Sequence, residues 1–152
     1  MKIAIGCDEA AFALKETIKD FVGKLGHEAT DFGTYNEIDT VLYPDIGIAV
    51  AESVRNHLCE RGILICGTGI GMSISANKVE SIRAAVCHDI YSTRRSVLSN
   101  DCQILCMGAR VIGVETAKSM VEEWLKLTFA AGPSSDKIDR ISNYEHSRNK
   151  CH

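Results

Sequence analysis

The stretch from Arg61 to Asn77, RGILICGTGIGMSISAN, leaves this chain little freedom in how it folds. Ile63, Leu64 and Ile65 form an apolar run with no polar alternate, so the strand they make has no face for water. Strands buried on both faces belong to parallel sheets covered by helices. The run stops at Cys66. Gly67, Gly69 and Gly71 then alternate with Thr68 and Ile70 ahead of a small-residue segment, Ser73 to Asn77, suited to a helix. A glycine-rich strand-to-helix turn lets backbone N–H groups converge on an anion. With a thiol at its lip, the turn sets a base or nucleophile beside a ready oxyanion hole. No Gly-Lys-Ser/Thr follows, which excludes the phosphate-loop pattern, and G-x-G-x-G is not the dinucleotide fingerprint. A tight βα turn holding a buried structural cysteine is the competing reading.

Strand and helix patterns alternate on either side of this stretch. Lys2 to Gly6 reads as a buried first strand that ends at Cys7-Asp8-Glu9, on the edge where open α/β sheets keep their ligands. Asp8 also suits a helix N-cap. Phe12, Leu14, Ile18, Phe21, Val22 and Leu25 recur at helical spacing, and Gly26 closes that helix. His27 to Phe32 reads as a second strand. Tyr43-Pro44-Asp45 starts a helix from Asp45 to about Cys59, with Ile46, Ala49, Val50, Ser53, Val54 and His57 near one stripe. Arg83 to Cys87 and Gln103 to Met107 supply the last strands, separated by a helix carrying Arg94, Arg95 and Ser99. Val114 to Leu127 is amphipathic, and Gly132-Pro133 breaks it. A polar helical tail follows from Ser135 to about Asn149, with Ile138, Ile141 and Tyr144 along one side. Five strands alternating with helices predict a doubly wound parallel sheet, for which a Rossmann-like order is the natural expectation.

At 152 residues the chain suffices for one domain with a core of its own. A net charge of −3 gives no electrostatic footprint for nucleic acid. No apolar run approaches a membrane span and the N-terminus opens directly on a strand pattern, so a cytoplasmic location without a signal peptide is expected. The seven cysteines (7, 59, 66, 87, 102, 106 and 151) are odd in number and form no C-x-x-C, which fits free, mostly buried thiols. The five histidines are scattered, and none pairs with a cysteine at metal-ligand spacing.

With these elements in place, the chain resembles the ribose-5-phosphate isomerase B and galactose-6-phosphate isomerase family. The resemblance rests on IAIGCD (3 to 8), Tyr43-Pro44, ILICGTGIGMSISANK (63 to 78), IRAAVC (82 to 87), Asn100-Asp101 and GARVIG (108 to 113). It implies a Rossmann-like three-layer α/β/α sandwich with a five-stranded parallel sheet. It also implies an obligate homodimer with sites at the interface, pairing further into a tetramer or not. The segment from about 133 to 152 would then be a tail packed on the partner. The implied activity is metal-free and cofactor-free aldose–ketose isomerisation of a phosphorylated sugar. Moving a carbonyl between C1 and C2 through an enediolate needs a base for one carbon-bound proton and donors for the oxyanion. The family's base lands on Cys66, with helix N-termini favouring the thiolate. The backbone of Gly67, Gly69, Ile70 and Gly71 becomes the oxyanion hole, assisted by Thr68. Asp8 and Glu9 stand at the sugar hydroxyls, Tyr43 lines the pocket and Asn100 meets the carbonyl end.

The departures bear on substrate. The family's histidine after the first-strand aspartate is Glu9 here. The histidine of its His-Asn-Asp segment, credited with opening the furanose ring, is Ser99. Its Gly-Gly-Arg-His-x-x-Arg phosphate clamp reads Ala131-Gly132-Pro133-Ser134-Ser135-Asp136-Lys137. Either the protein is inactive, or it relies on spontaneous ring opening, or its substrate has no ring to open. A tetrose 4-phosphate has its O4 esterified and cannot close a five-membered ring. Arg95 lies one turn before Ser99 on the same helical face and could reach the phosphate of so short a sugar, unless it is a solvated helix arginine. Lys137 and Arg110 are the other candidate phosphate ligands. A non-catalytic sugar-phosphate or nucleotide sensor on the same fold is the alternative of a different class.

Overall fold

The computed structural model describes residues 1–38 and 40–149. Its sheet is parallel throughout and has five strands: β1 (Lys2–Cys7), β2 (Glu28–Asp31), β3 (Arg61–Cys66), β4 (Ala84–Val86) and β5 (Ile104–Gly108). The helices are α1 (Phe12–Lys24), α2 (Tyr43–Arg55), α3 (Ile70–Ala76), α4 (Ile90–Leu98), α5 (Val114–Lys126) and α6 (Ser135–Asn149). The expected α/β/α sandwich is present. The strand order is β2-β1-β3-β5-β4, so β5 inserts between β3 and β4 and leaves β4 on the edge.

Alternation along the strands builds two cores. Ile3, Ile5, Ile63, Ile65, Leu105 and Met107 face Leu14, Ile18 and Val22 of α1 and Ala117, Met120, Val121 and Trp124 of α5. Ala4, Leu64, Cys66, Ile104 and Cys106 face the other way, toward Ile46, Val50 and Val54 of α2 and Met72 of α3. Cys66 therefore ends its strand on the α2/α3 side. The chain leaves β1 for β2 on one flank and returns to β3 on the other, which places the topological switch point between the ends of β1 and β3.

Several local expectations shift. α2 begins at Tyr43 and stops at Arg55, and His57 lies beyond it at φ 58°, outside the helical stripe. Asp8 precedes a single 3₁₀ turn, Glu9–Ala11, but its side chain makes no capping bond. The cysteines at 7, 59, 66, 87, 102 and 106 are free and buried, while Cys151 lies outside the described residues. α6 rests on its own chain through the buried Ile138 and through Glu145, which accepts the Ser81 N–H at 2.9 Å, and it leaves Ile141 and Tyr144 exposed. Residues 150–152 of the expected tail lie outside the described residues. Among the described residues no helix is long and apolar enough to cross a membrane.

Lys15 sits in the apolar stripe of α1 yet is 0% exposed. Its ammonium reaches both Asp31 oxygens at 2.9 and 2.8 Å and the Thr34 carbonyl at 2.6 Å. Burial works against the charge on Asp31, but Lys15, Lys19 and the Gly33 N–H outweigh it and hold the carboxyl below its ordinary range. The cluster ties α1 to the end of β2 and to the start of the loop that leads to Tyr43. Asp31→Ala leaves the buried Lys15 ammonium the partly exposed Glu16 carboxylate at 3.1 Å and the Thr34 carbonyl as polar partners, so a loss of about 3 kcal/mol is expected. Glu28→Ala, which breaks only the exposed 3.8 Å contact with Lys2, should cost under about 1 kcal/mol. Urea unfolding of both variants checks the contrast, and equal losses would contradict it.

Candidate active site

The β1 and β3 strands pair in register, Cys7 opposite Ile65, so Asp8 and Cys66 emerge side by side at the carboxyl edge of the sheet. Cys66 is 6% exposed, and its sulfur receives the Gly69 N–H at 3.0 Å. That turn requires φ 79° at Gly69, where a Cβ would also strike the Met107 backbone at 2.9 Å. The Ile70 N–H points to the Thr68 hydroxyl oxygen at 3.3 Å. Two of the amides expected to form an oxyanion hole are thus already turned toward the catalytic-type side chains of their own loop. The Arg110 side chain lies over Gly67, about 3.5 Å from where a Cβ would be, and the Tyr43 ring lies over Gly71.

Asp8 is half-buried and its Oδ1 has no hydrogen-bond partner. Burial raises its carboxyl above the ordinary 3.8, the neighbouring Glu9 adds to the rise, and the N–H groups of Ala11, Gly67 and Ala10 oppose it. Asp8, Glu9 and Tyr43 line a cleft of about 390 Å³, walled otherwise by Thr40 and the apolar Ile38, Val41 and Leu42. Within one subunit, Cys66, Thr68, Asp8, Glu9, Tyr43 and Arg110 therefore gather at the switch point.

The remaining candidates gather elsewhere. Arg95, Ser99, Asn100 and Lys137 line a second cleft of about 610 Å³ beside Arg83 and Ala84, where β4 begins at Ala84. Ser99 caps the end of α4 and its hydroxyl accepts from the Arg95 guanidinium. The Asn100 amide donates to the Arg95 carbonyl at 2.9 Å. This loop enters β5 from the amino edge of the sheet, whereas Cys66 pairs with Gly108 at the carboxyl edge. The four steps from Ile104 to Gly108 alone span roughly 13 Å. The two halves of the expected site do not meet within one chain.

Sequence reasoning passed over two residues that shape the second cleft. Arg83 donates to the Asn100 and Asp101 carbonyls at 3.0 Å each and pairs with the Asp101 carboxylate at 2.6 Å. Asn77 bonds both the carbonyl and the N–H of Ala84, at 2.8 and 2.9 Å. Only the position of each polar residue just outside an apolar run hinted at this. Among the described residues, no group of three or more His, Cys, Asp or Glu side chains is placed to share a metal ion.

A model of the Ribose/Galactose Isomerase family matches residues 3–141. The chain belongs to that family. This isomerase is 51% identical over 145 residues to a ribose-5-P isomerase B of Listeria innocua, covering 95% of this chain and 97% of that one. It is 46% identical over 146 residues to a D-erythrulose-4-phosphate isomerase of Pectobacterium atrosepticum, covering 96% of each. Among solved structures it matches the ribose-5-phosphate isomerase B of Clostridium thermocellum with a TM-score of 0.94 at 47% identity, over 97% of this chain and 99% of that one.

Two outcomes test the geometry of the switch point. Gly69→Ala is expected to lose at least about 2 kcal/mol in urea unfolding, from the left-handed backbone and the clash with Met107 together. Ordinary stability would contradict that packing. Because the folded-state carboxyl of Asp8 is raised, its ionisation costs stability as pH climbs above 3.8. Asp8→Asn should therefore melt higher than the wild type at pH 7, with the gap closing below about pH 4. A lower melting temperature at pH 7 would show that the carboxylate is satisfied.

Proposed function

We propose that this isomerase interconverts the aldose and ketose forms of a four-carbon sugar 4-phosphate, with Cys66 as the base. The observation that carries the reading is the Cys66 sulfur, held by the Gly69 N–H beside Asp8 at the switch point. In the aldose-to-ketose direction the thiolate removes the proton from C2. The electron pair forms the C1–C2 double bond, and the carbonyl electrons move to O1. The thiol then returns its proton to C1, while one proton passes from O2 to O1. The Thr68 oxygen accepts the Ile70 N–H, which leaves its own hydrogen for the developing oxyanion. The unpartnered Asp8 Oδ1 is an acceptor for a sugar hydroxyl.

The separation of the two clefts supports a site completed by a second copy of the chain. The carboxyl edge of one subunit would supply Cys66, Thr68, Asp8, Tyr43 and Arg110. The amino edge of the other would supply Ser99, Asn100, Arg95 and Lys137, which isologous two-fold pairing allows. Arg95 and Lys137 are then the cationic ends that take the phosphate.

Ser99 supports the four-carbon substrate. Its hydroxyl is engaged by Arg95, so it stands as a held polar group and not as a titrating acid or base. A sugar whose O4 carries the phosphate never closes a furanose ring and needs no ring-opening group. The guanidinium drawn to position 99 also brings positive charge toward the carbonyl end, as a shorter substrate requires. The Pectobacterium relative, a D-erythrulose-4-phosphate isomerase, agrees with this reading. The Listeria relative, a ribose-5-P isomerase B, favours ribose 5-phosphate as the second reading.

Turnover on tetrose, pentose and hexose phosphates decides between them. The expected result is a kcat/KM for erythrulose 4-phosphate at least tenfold above that for ribose 5-phosphate, with Cys66→Ala losing about 10²–10⁴-fold in kcat while still binding. Preference for ribose 5-phosphate would overturn the inference from Ser99. Binding by the wild type without any turnover would point to a sensor.

A further inference from the structure

His88 follows the last ladder bond of β4, in which the Cys87 N–H donates to the Cys106 carbonyl at 3.0 Å. At the next step a longer β4 would offer a carbonyl to β5. The imidazole takes that place instead, and its Nε2 accepts the Gly108 N–H at 2.9 Å. A backbone N–H can only donate, so Nε2 carries its lone pair and the ring proton sits on Nδ1.

Gly108 is where the reactive loop leans. A Cβ there would come within 2.7 Å of the Thr68 Cα and 2.8 Å of its carbonyl carbon, so the two backbones are in direct contact. The residues that follow complete the brace: the Ala109 N–H donates to the Cys66 carbonyl at 2.8 Å and the Arg110 N–H to the Gly67 carbonyl at 3.1 Å. Thr68 and Gly69 are thus seated on a strand end whose own N–H is fixed by His88, and Gly69 in turn holds the Cys66 sulfur. We infer that His88 is a positioning residue for the Cys66 loop: it contacts no substrate and acts through Gly108 on the Thr68–Gly69 backbone. The inference rests on the proposed isomerase reading for its effect on rate, but its structural part stands without it.

Amide hydrogen exchange and steady-state kinetics on His88→Ala and His88→Gln test it together. Glutamine offers an acceptor oxygen at similar reach without the ring. In His88→Ala the Gly108 and Gly69 amides should exchange at least about tenfold faster while β1 amides stay as protected as in the wild type. Its kcat should fall about 10–100-fold with KM within threefold, as small misplacements of reacting groups produce. His88→Gln should restore both readouts to within about threefold. Faster exchange at Gly108 with unchanged Gly69, or an unchanged kcat, overturns the role. So does a His88→Gln variant that folds yet is as impaired as alanine. Should His88→Ala fail to fold, the glutamine variant carries the test alone. A wild type without turnover would remove the isomerase reading, and the exchange of Gly69 would still decide whether His88 braces the loop.

Discussion

The backbone of residues 66–69 lies against the end of β5 with no room for a side chain on either side of the contact. Gly69 meets the Met107 backbone and Gly108 meets Thr68, each where a Cβ would be under 3 Å away. This contact fixes the direction in which the chain leaves β3, and therefore where the Gly69 N–H points. A thiol at the end of a buried strand is ordinarily inert. The turn gives Cys66 a donor in the Gly69 N–H, and the tight seat of the loop keeps that donor in register.

Topology does the rest. Because β1 and β3 are neighbours whose connections depart in opposite directions, their ends are left uncovered, and Asp8 reaches the edge beside Cys66. Placing β5 next to β3 brings Arg110 over the same loop. The same parallel arrangement sends the start of β5, with Ser99 and Asn100 just before it, to the far edge. If Cys66 is the base and Ser99 and Asn100 are its polar partners, they serve a single reaction only where two copies of the chain face each other with edges exchanged.

Much of this was legible in the sequence, for identifiable reasons. The runs at 3–5, 63–65 and 104–107 have no polar alternate, so burial on both faces and a covered parallel sheet followed directly. The glycine spacing after Cys66 marked the turn. What local patterns could not show were pairings between distant segments. The burial of Lys15 has no local signature, because its partner Asp31 belongs to another element, β2. Asp8 fitted a capping pattern, but its carboxylate turned out uncapped. The insertion of β5 between β3 and β4 leaves no trace in either strand's sequence. Nor does the separation of the two clefts, since Ser99 and Cys66 are both simply polar ends of apolar elements.

The claim on which the whole account turns is that one working site draws on two subunits. Mixing two separately inactive variants, Cys66→Ala and Asn100→Ala, after dissociation and reassembly tests it directly. If sites are shared, each mixed dimer regains one intact site, and random pairing should restore roughly a quarter of wild-type activity. If each chain holds a complete site, the mixture will be as inactive as its parents, and the account of the two clefts is wrong.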